Sequence, residues 1–224
     1  MADGNTLQNT SEWYASRLFR FTSSELGKLM TEPRSKADKE AGNLSATAEG
    51  YIFDKIAEYL TDGTCLDYRQ LDTKEIKWGN THEEPARLAY EKRTGKSVEL
   101  VGFIGWGPYF GGSPDGLVDD DGLIEIKCPY NSSVHARYLM MRTPEDLRKL
   151  NPDYYAQIQG NLLATGRKWA DFVSYDPRVQ NPSLALKILR IPLDEAMQER
   201  IKVVLGRANQ MKDEYIKQIA ENIC

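Results

Sequence analysis

The spacing of apolar and polar positions changes character several times along the chain. Residues 45–60, SATAEGYIFDKIAEYL, carry apolar side chains at helical spacing, whereas residues 122–128 alternate with the period of two that is typical of a strand. The whole pattern predicts helices at about 12–20, 22–30, 45–60, 74–94, 133–141, 144–150, 151–166 and 193–222, and strands at about 97–106, 109–118, 122–128, 169–176 and 184–192. This order predicts an α/β fold, with a mixed sheet flanked by helices.

Local signals refine some of these boundaries. The capping-box sequence TSSE at 22–25 indicates the start of a helix, and Gly95 indicates the end of the helix that precedes it. Pro85 lies inside that helix, and we expect the helix to begin near Asn80 or to bend there, because a proline ring clashes with the preceding turn. The polar segment 31–44 predicts a mobile loop.

Length and composition are those of an ordinary globular protein. The chain has 224 residues, of which 41% are hydrophobic and 28% charged. We expect one domain over 1–224, made of N-terminal helices (11–95), a β-meander (97–128), helices and strands (133–192) and a C-terminal helix (193–222). No apolar run approaches the ~20 residues that span a bilayer, and the N-terminus is polar, so the sequence predicts a cytoplasmic protein without a membrane partner.

Net charge and cysteine content exclude two classes of protein. A net charge of −4 argues against a protein that coats nucleic acid nonspecifically, although a local basic channel stays compatible with it. The three cysteines and two histidines lack the spacing of a zinc site, so we expect reduced structural thiols at Cys65, Cys128 and Cys224.

Three charged residues stand out in GGSPDGLVDDDGLIEIKCPY, residues 111–130. DDDG is a turn signal, and a loop of three residues would make Asp115 face Glu125 across a hairpin. Glu125 and Lys127 share a face because side chains alternate along a strand. The pattern therefore predicts two carboxylates and one ammonium converging on a small patch.

Two facing carboxylates repel each other unless a cation lies between them. Lys127 supplies part of that charge, and Mg²⁺, which prefers carboxylate oxygens, would supply it better. A cation held by few protein ligands, with Lys127 to hold or deprotonate a water, provides the parts of a phosphodiesterase. The alternative on spacing alone is an ordinary surface ion-pair ladder on a hairpin.

The surroundings of these residues carry a longer pattern. SPDG and EIKCP at 113–116 and 125–129 resemble the signature of the lambda-exonuclease/YqaJ family of viral recombinases, within the PD-(D/E)xK nuclease superfamily. Further segments that resemble the family, in the same order, are WYASR (13–17), TSSE (22–25), WGNTHE (78–83) and YYAQIQ (154–159). The resemblance covers residues 13 to about 160 and implies a restriction-endonuclease-like core.

The resemblance also implies an activity and its cofactor. It implies a phage-type, Mg²⁺-dependent 5′→3′ exonuclease that degrades one strand of linear double-stranded DNA and leaves 3′ single-stranded tails for recombination. Mn²⁺ is a possible substitute for Mg²⁺, and a two-metal site is implied. The implied assembly is a ring-shaped homotrimer that works with a single-strand annealing protein.

Roles for individual residues follow from the same resemblance. Metal ligands would be Asp115, Glu125 and the backbone carbonyl of Ile126, while Glu83 would complete the shell of a second metal. Lys127 and Gln157 would position the attacking water. The group that grips the 5′-terminal phosphate would be Arg17, Ser24 and Ser113.

One position departs from the family pattern. The arginine that the family carries shortly after KCPF falls at Ser133 here, and His135 or Arg137 would have to take its place in a DNA channel. The alternative functions left open are another nuclease of the superfamily, such as an endonuclease or a single-strand-specific exonuclease, and a catalytically silent module that binds DNA ends.

Overall fold

A computed structural model describes residues 8–66 and 73–222. The helices are α1 (Ser11–Arg17), α2 (Leu26–Met30), α3 (Lys36–Ala41), α4 (Ala46–Leu60), α5 (Lys74–Thr94), α6 (Ser132–Leu139), α7 (Pro144–Leu150), α8 (Pro152–Thr165), α9 (Pro182–Ala185) and α10 (Glu195–Glu221). The strands are β1 (Phe21–Thr22), β2 (Val98–Glu99), β3 (Ile104–Trp106), β4 (Phe110–Gly112), β5 (Gly116–Val118), β6 (Gly122–Lys127), β7 (Trp169–Tyr175) and β8 (Leu186–Pro192). The architecture is mixed α/β, as predicted.

Two sheets organise these strands. The larger has the order β2-β5-β6-β7-β8, in which β6 and β7 are parallel and the other neighbours antiparallel. The smaller has the order β1-β4-β3. In the β5–β6 hairpin Val118 pairs with Gly122, so the loop has the predicted three residues.

The two faces of the larger sheet are covered by different helices. Ile124 and Ile126 pack on one face against Ala86 and Tyr90 of α5. Leu123 packs on the other face with residues of α6, α7 and α8. Because side chains alternate along β6, Glu125 and Lys127 point to the α8 side. No helix in the described ranges has the length and apolar character to cross a membrane.

The predicted strands at 97–106 and 109–118 are each divided into two short strands that belong to different sheets. The second division falls at Ser113–Asp115, where Pro114 has no N–H for a ladder hydrogen bond. The pairing predicted for the meander is confirmed, because Val98 pairs with Val118 and Ile104 with Gly112, both antiparallel, and β5 pairs with β6. Its division between two sheets was not predicted.

Three local expectations also change. The segment 31–44 contains helix α3, because Ser35 caps it by accepting from the Asp38 N–H and Gly42 ends it in the left-handed conformation. Helix α5 begins at Lys74, well before Asn80, and Pro85 lies within it. Thr22 makes no side-chain capping bond, and a 3-10 turn precedes α2 instead.

Candidate active site

The hairpin holds Asp115 against β6 by two bonds. Its backbone N–H donates to the Ile124 carbonyl at 3.2 Å. Its Oδ2 accepts from the Ile126 N–H at 2.6 Å. The carboxylate is therefore fixed at the start of β5, next to the strand that carries Glu125.

Glu125 is buried, with 1% of its surface exposed, and three side-chain donors hold it. Oε1 accepts from Lys127 Nζ at 2.7 Å and from Gln157 Nε2 at 2.6 Å. Oε2 accepts from Asn161 Nδ2 at 2.9 Å. The structure thus brings Glu125, Lys127 and Gln157 together, and Asp115 lies on the adjacent strand of the hairpin.

Lys127 links the strand to helix α8. Its Nζ donates to Gln157 Oε1 at 3.3 Å and lies 4.5 Å from the ring centre of Tyr154. Burial alone would lower the pKa of Lys127, but the negative charges of Glu125 and Asp115 raise it above its ordinary value. In the protein alone the side chain is therefore an ammonium ion that donates hydrogen bonds.

The patch holds more carboxyl groups than cationic groups. Burial, with the nearby charges of Glu125 and Glu83, raises the pKa of Asp115 well above its ordinary value. Burial and the charge of Glu125 likewise raise the pKa of Glu83. A divalent cation beside these carboxyl groups would favour their ionised forms and so lower the raised pKa values.

The donor set fits a hard cation with few protein ligands. Asp115 and Glu125 each have about four acceptor positions, and the hydrogen bonds above occupy one at Asp115 and three at Glu125. Within the described ranges, no three His, Cys, Asp or Glu side chains cluster closely enough to hold an ion alone. A site of two carboxylates and a backbone carbonyl is compatible with that finding, and Glu83 then lies outside the direct ligands.

Glu83 reaches the site from helix α5. It lines a cavity of about 670 Å³ together with Ile126, Lys127 and Tyr154. The helix is fastened to the sheet by Tyr90, whose hydroxyl donates to Asp171 Oδ2 at 2.7 Å. That bond fixes the position of the helix relative to β7, and hence to β6.

Trp78 contacts two neighbouring side chains near Glu83. His82 stacks on its ring at 3.9 Å, and the Arg178 guanidinium lies 4.2 Å from the ring centre. His82 Nδ1 is 2.8 Å from the Trp78 carbonyl, so the histidine is engaged on its own helix, as expected for a residue outside the metal site. The Trp78 ring is therefore already engaged by two side chains of the protein.

The three residues predicted to grip a 5′-phosphate are linked through Trp13. The Arg17 guanidinium lies 4.1 Å from the Trp13 ring centre and donates to Ser24 Oγ at 3.4 Å. Trp13 Nε1 donates to Ser113 Oγ at 2.9 Å. Ser113 stands two residues before Asp115, so this group borders the carboxylates.

Arg17 lines a second cavity, of about 720 Å³. This cavity and the one beside Lys127 share Ile76 and Asn80 as lining residues. Arg17 with Ser24 and Ser113, called the Arg17 group below, and the carboxylate patch therefore lie beside two neighbouring cavities along the same stretch of α5.

His135 was wrongly predicted as a DNA-channel residue. It is buried, with 1% of its surface exposed. Its ring nitrogens lie 2.7 Å from Ser174 Oγ and 2.8 Å from the Leu184 carbonyl. Both nitrogens are therefore engaged inside the protein, whereas Arg137 is exposed and stays a predicted channel residue.

The two thiols in the described ranges differ in exposure, since Cys65 is exposed and Cys128 is partly buried. Cys65 and Cys128 are free, and burial raises the pKa of Cys128 to about 12. A thiol with that pKa stays protonated at neutral pH and is a poor nucleophile. Cys224 lies outside the described residues.

Two residues of the site were missed in the sequence. Asn161 donates to Glu125, and Tyr154 packs under Lys127. Both lie on α8 at the spacings of four and three residues from Gln157 that define one helix face. That spacing is the signal in the sequence that points to them.

The fold and the site define an α/β protein with a carboxylate–lysine centre. Residues 12–168 match the YqaJ-like viral recombinase domain family. The chain belongs to this family.

Solved structures agree with that assignment. The alkaline exonuclease LHK-Exo from Laribacter hongkongensis is 31% identical with a TM-score of 0.77, over 96% of this chain and 98% of that one. Its structure in complex with dAMP gives the same values. The phage related exonuclease from Haemophilus somnus 129PT shares the fold at 22% identity and a TM-score of 0.71, over 89% of this chain and 96% of that one. No curated protein matches the sequence. Family and relatives together identify the chain as a nuclease.

Proposed function

We propose that the protein is a Mg²⁺-dependent 5′→3′ exonuclease that degrades one strand of linear double-stranded DNA and leaves 3′ single-stranded tails. The observation that carries the proposal is the patch of Asp115, Glu125 and Lys127, in which two carboxyl groups meet one amine beside a cavity. The Arg17 group borders that patch, and arginine with hydroxyls is a donor set suited to a phosphate.

Asp115, Glu125 and the Ile126 carbonyl would hold Mg²⁺, or Mn²⁺ in its place, and Glu83 would act on a second ion through water. When bound, the metal supplies a Lewis acid at the phosphate and a more acidic water. The raised pKa values of Asp115 and Glu83 support this assignment, because a cation would relieve the cost of ionising both.

The protein's own groups have separate tasks. Lys127 and Gln157 would orient the attacking water, and the ammonium would stabilise negative charge on the phosphate. In the protein alone Lys127 is protonated, because the charges of Glu125 and Asp115 raise its pKa, and in that state it can hold a water by donating a hydrogen bond. Arg17, Ser24 and Ser113 would bind the terminal phosphate and set the distance between the DNA end and the scissile bond.

The product class follows from the direction of cleavage. A 5′→3′ exonuclease that cuts behind a terminal phosphate releases 5′-mononucleotides. dAMP, the compound complexed with LHK-Exo, is a deoxynucleoside monophosphate and supports this product for a relative of the same family. A homotrimeric ring, a partner that anneals single strands and a cytoplasmic location, in the bacterial host if the gene is carried by a phage, belong to the same proposal.

End-labelled DNA tests the proposal. Linear duplex carrying a 5′-phosphate and a 5′ label should release labelled mononucleotide at once, whereas a 3′ label should stay on long strands until late. Closed circular duplex should survive, and chelation of Mg²⁺ should stop the reaction. Cutting of circles would indicate an endonuclease, preference for single strands would indicate the other type of exonuclease, and binding without cleavage even in Mn²⁺ would indicate a silent module.

A further inference from the structure

We propose that Asn161 is a positioning residue that fixes the carboxylate of Glu125 for its cation. Asn161 is fully buried on α8, and its Nδ2 donates to Glu125 Oε2 at 2.9 Å. Lys127 and Gln157 both bind the other oxygen, Oε1. Asn161 is therefore the residue that restrains Oε2, and this inference rests on the proposed function because it takes Glu125 as a metal ligand.

The direction of the amide is fixed by chemistry. Turning it over would put Oδ1, an acceptor, 2.9 Å from a carboxylate oxygen that is also an acceptor. Nδ2 must therefore face Glu125. Two points of restraint, one on each oxygen, prevent the carboxylate from rotating about its terminal bond.

The oxygen of the amide, Asn161 Oδ1, lies in unfavourable surroundings. Among the described residues, Asn161 Oδ1 is a buried oxygen without a hydrogen-bond partner. It also crowds the backbone of β4, where a Cβ on Gly112 would overlap Asn161 Oδ1 and Ser23 Oγ. A leucine of similar shape would avoid the unpaired oxygen, so the local packing does not explain the amide.

The hydrogen bond to Glu125 explains why an amide is present at position 161. Sequences depart from good local packing mainly at functional sites. Oε1 has two donors and is saturated, while Oε2 has one and keeps one acceptor position for a cation. Partners that orient a metal-binding side chain are worth about 10–100-fold in metal affinity or activity.

Metal affinity and folding can be measured separately. Asn161→Leu removes both the donor and the unpaired oxygen, so the loss of the hydrogen bond to Glu125 is partly offset and the unfolding temperature in EDTA should fall by no more than in Gln159→Leu. Titration calorimetry with Mn²⁺ should show affinity weakened by about 10–100-fold, and single-turnover cleavage should slow while the KM for DNA stays the same. Asn161→Ala removes the same donor and is used if the leucine variant does not fold.

Gln159 provides the matched control. It is a fully buried amide on the same helix, and it donates to the Pro192 carbonyl at 2.9 Å and accepts from the Asp194 N–H at 3.0 Å, away from the carboxylates. Gln159→Leu should lower the unfolding temperature and leave Mn²⁺ affinity unchanged. The two leucine variants should therefore both remain folded and differ in their affinity for Mn²⁺, which only Asn161→Leu should lower.

The outcomes distinguish this inference from the proposed function. If the wild type neither binds Mn²⁺ nor cleaves DNA, the proposed function fails and the inference fails with it. If the wild type and Gln159→Leu bind Mn²⁺, Glu125→Gln binds it weakly, and both Asn161 variants bind it like the wild type, only the positioning role is overturned. An equal loss of affinity in Gln159→Leu would also overturn it, since the effect would then come from the helix in general.

Discussion

Replacing Lys127 by methionine separates its charge from its packing. Methionine keeps an unbranched stem of similar length over Tyr154 but removes the ammonium that donates to Glu125 and Gln157. We expect cleavage to be lost while the protein stays folded and continues to bind DNA. The ammonium is required where charge develops during the reaction, whereas Arg17 and its neighbours hold the terminal phosphate.

The contacts of Lys127 allow estimates of two losses in Lys127→Met, the loss of cleavage rate and the loss of stability. A residue that orients water or moves a proton contributes about 10²–10⁴ in rate, which corresponds to about 3–5 kcal/mol of activation free energy. For stability, Glu125 loses one charged hydrogen bond of roughly 1.5–3 kcal/mol but keeps Gln157 and Asn161. Since 21% of the Lys127 side chain is exposed, solvent replaces part of the loss and the lower end is expected.

The assay is single-turnover digestion of 5′-phosphorylated duplex at saturating Mg²⁺, beside urea unfolding monitored by circular dichroism. Lys127→Arg serves as the control, because it keeps the positive charge and should keep the stability of the wild type while cleaving slowly. Cleavage by Lys127→Met within about fivefold of the wild type would refute the role given to this lysine.

Three further predictions follow from residues around the site. Tyr90→Phe should lower the free energy of unfolding by about 1.5–3 kcal/mol, because the Tyr90 hydroxyl binds a buried carboxylate at Asp171; urea unfolding measures this, and Tyr59→Phe, an exposed tyrosine, should change nothing. Asp176 is buried, and although burial raises its pKa, the hydrogen bonds from Arg178 and Ser132 lower it from 3.8 to about 2. The pair therefore contributes roughly 2 kcal/mol above pH 4, lost as the pH falls through 2; Arg178→Met should remove most of that acid dependence in stability measured from pH 5 to 2. Asp115 has a raised pKa, so the folded metal-free protein retains a proton that the unfolded chain has released and loses stability as the pH rises from about 4 through the raised value. Asp115→Asn should reduce that decline in EDTA to the part that Glu83 contributes, seen as a higher unfolding temperature at pH 8, and should abolish cleavage; an unchanged pH profile would contradict the charge balance described for the site.

The parts of the fold that local signals govern were predictable. The three-residue loop after Val118 fixed the register of the hairpin, and the period of two placed Glu125 and Lys127 on one face. Helix ends with a strong cap, such as Ser45 and Gly95, were placed correctly within a residue or two. These features depend on neighbours in the sequence, which a single chain displays.

Features decided by distant packing were not predictable in this way. Strand-like character at 97–106 and 109–118 gave no sign that each segment divides between two sheets. His135 is a polar, ionisable side chain of the kind that can line a DNA channel. Only its contacts with Ser174 and Leu184 reveal that it is buried. Asn161 lies in a helix that was predicted from the sequence. Its hydrogen bond, however, goes to the Glu125 carboxylate, 36 positions away in the chain.

The most direct test of the whole account is a crystal of the wild-type protein soaked in Mn²⁺ and measured at the manganese absorption edge. The account predicts an anomalous peak within coordination distance of carboxylate oxygens of both Asp115 and Glu125, and its loss in Asp115→Asn. A peak elsewhere, or none at Mn²⁺ concentrations that support cleavage, would contradict it.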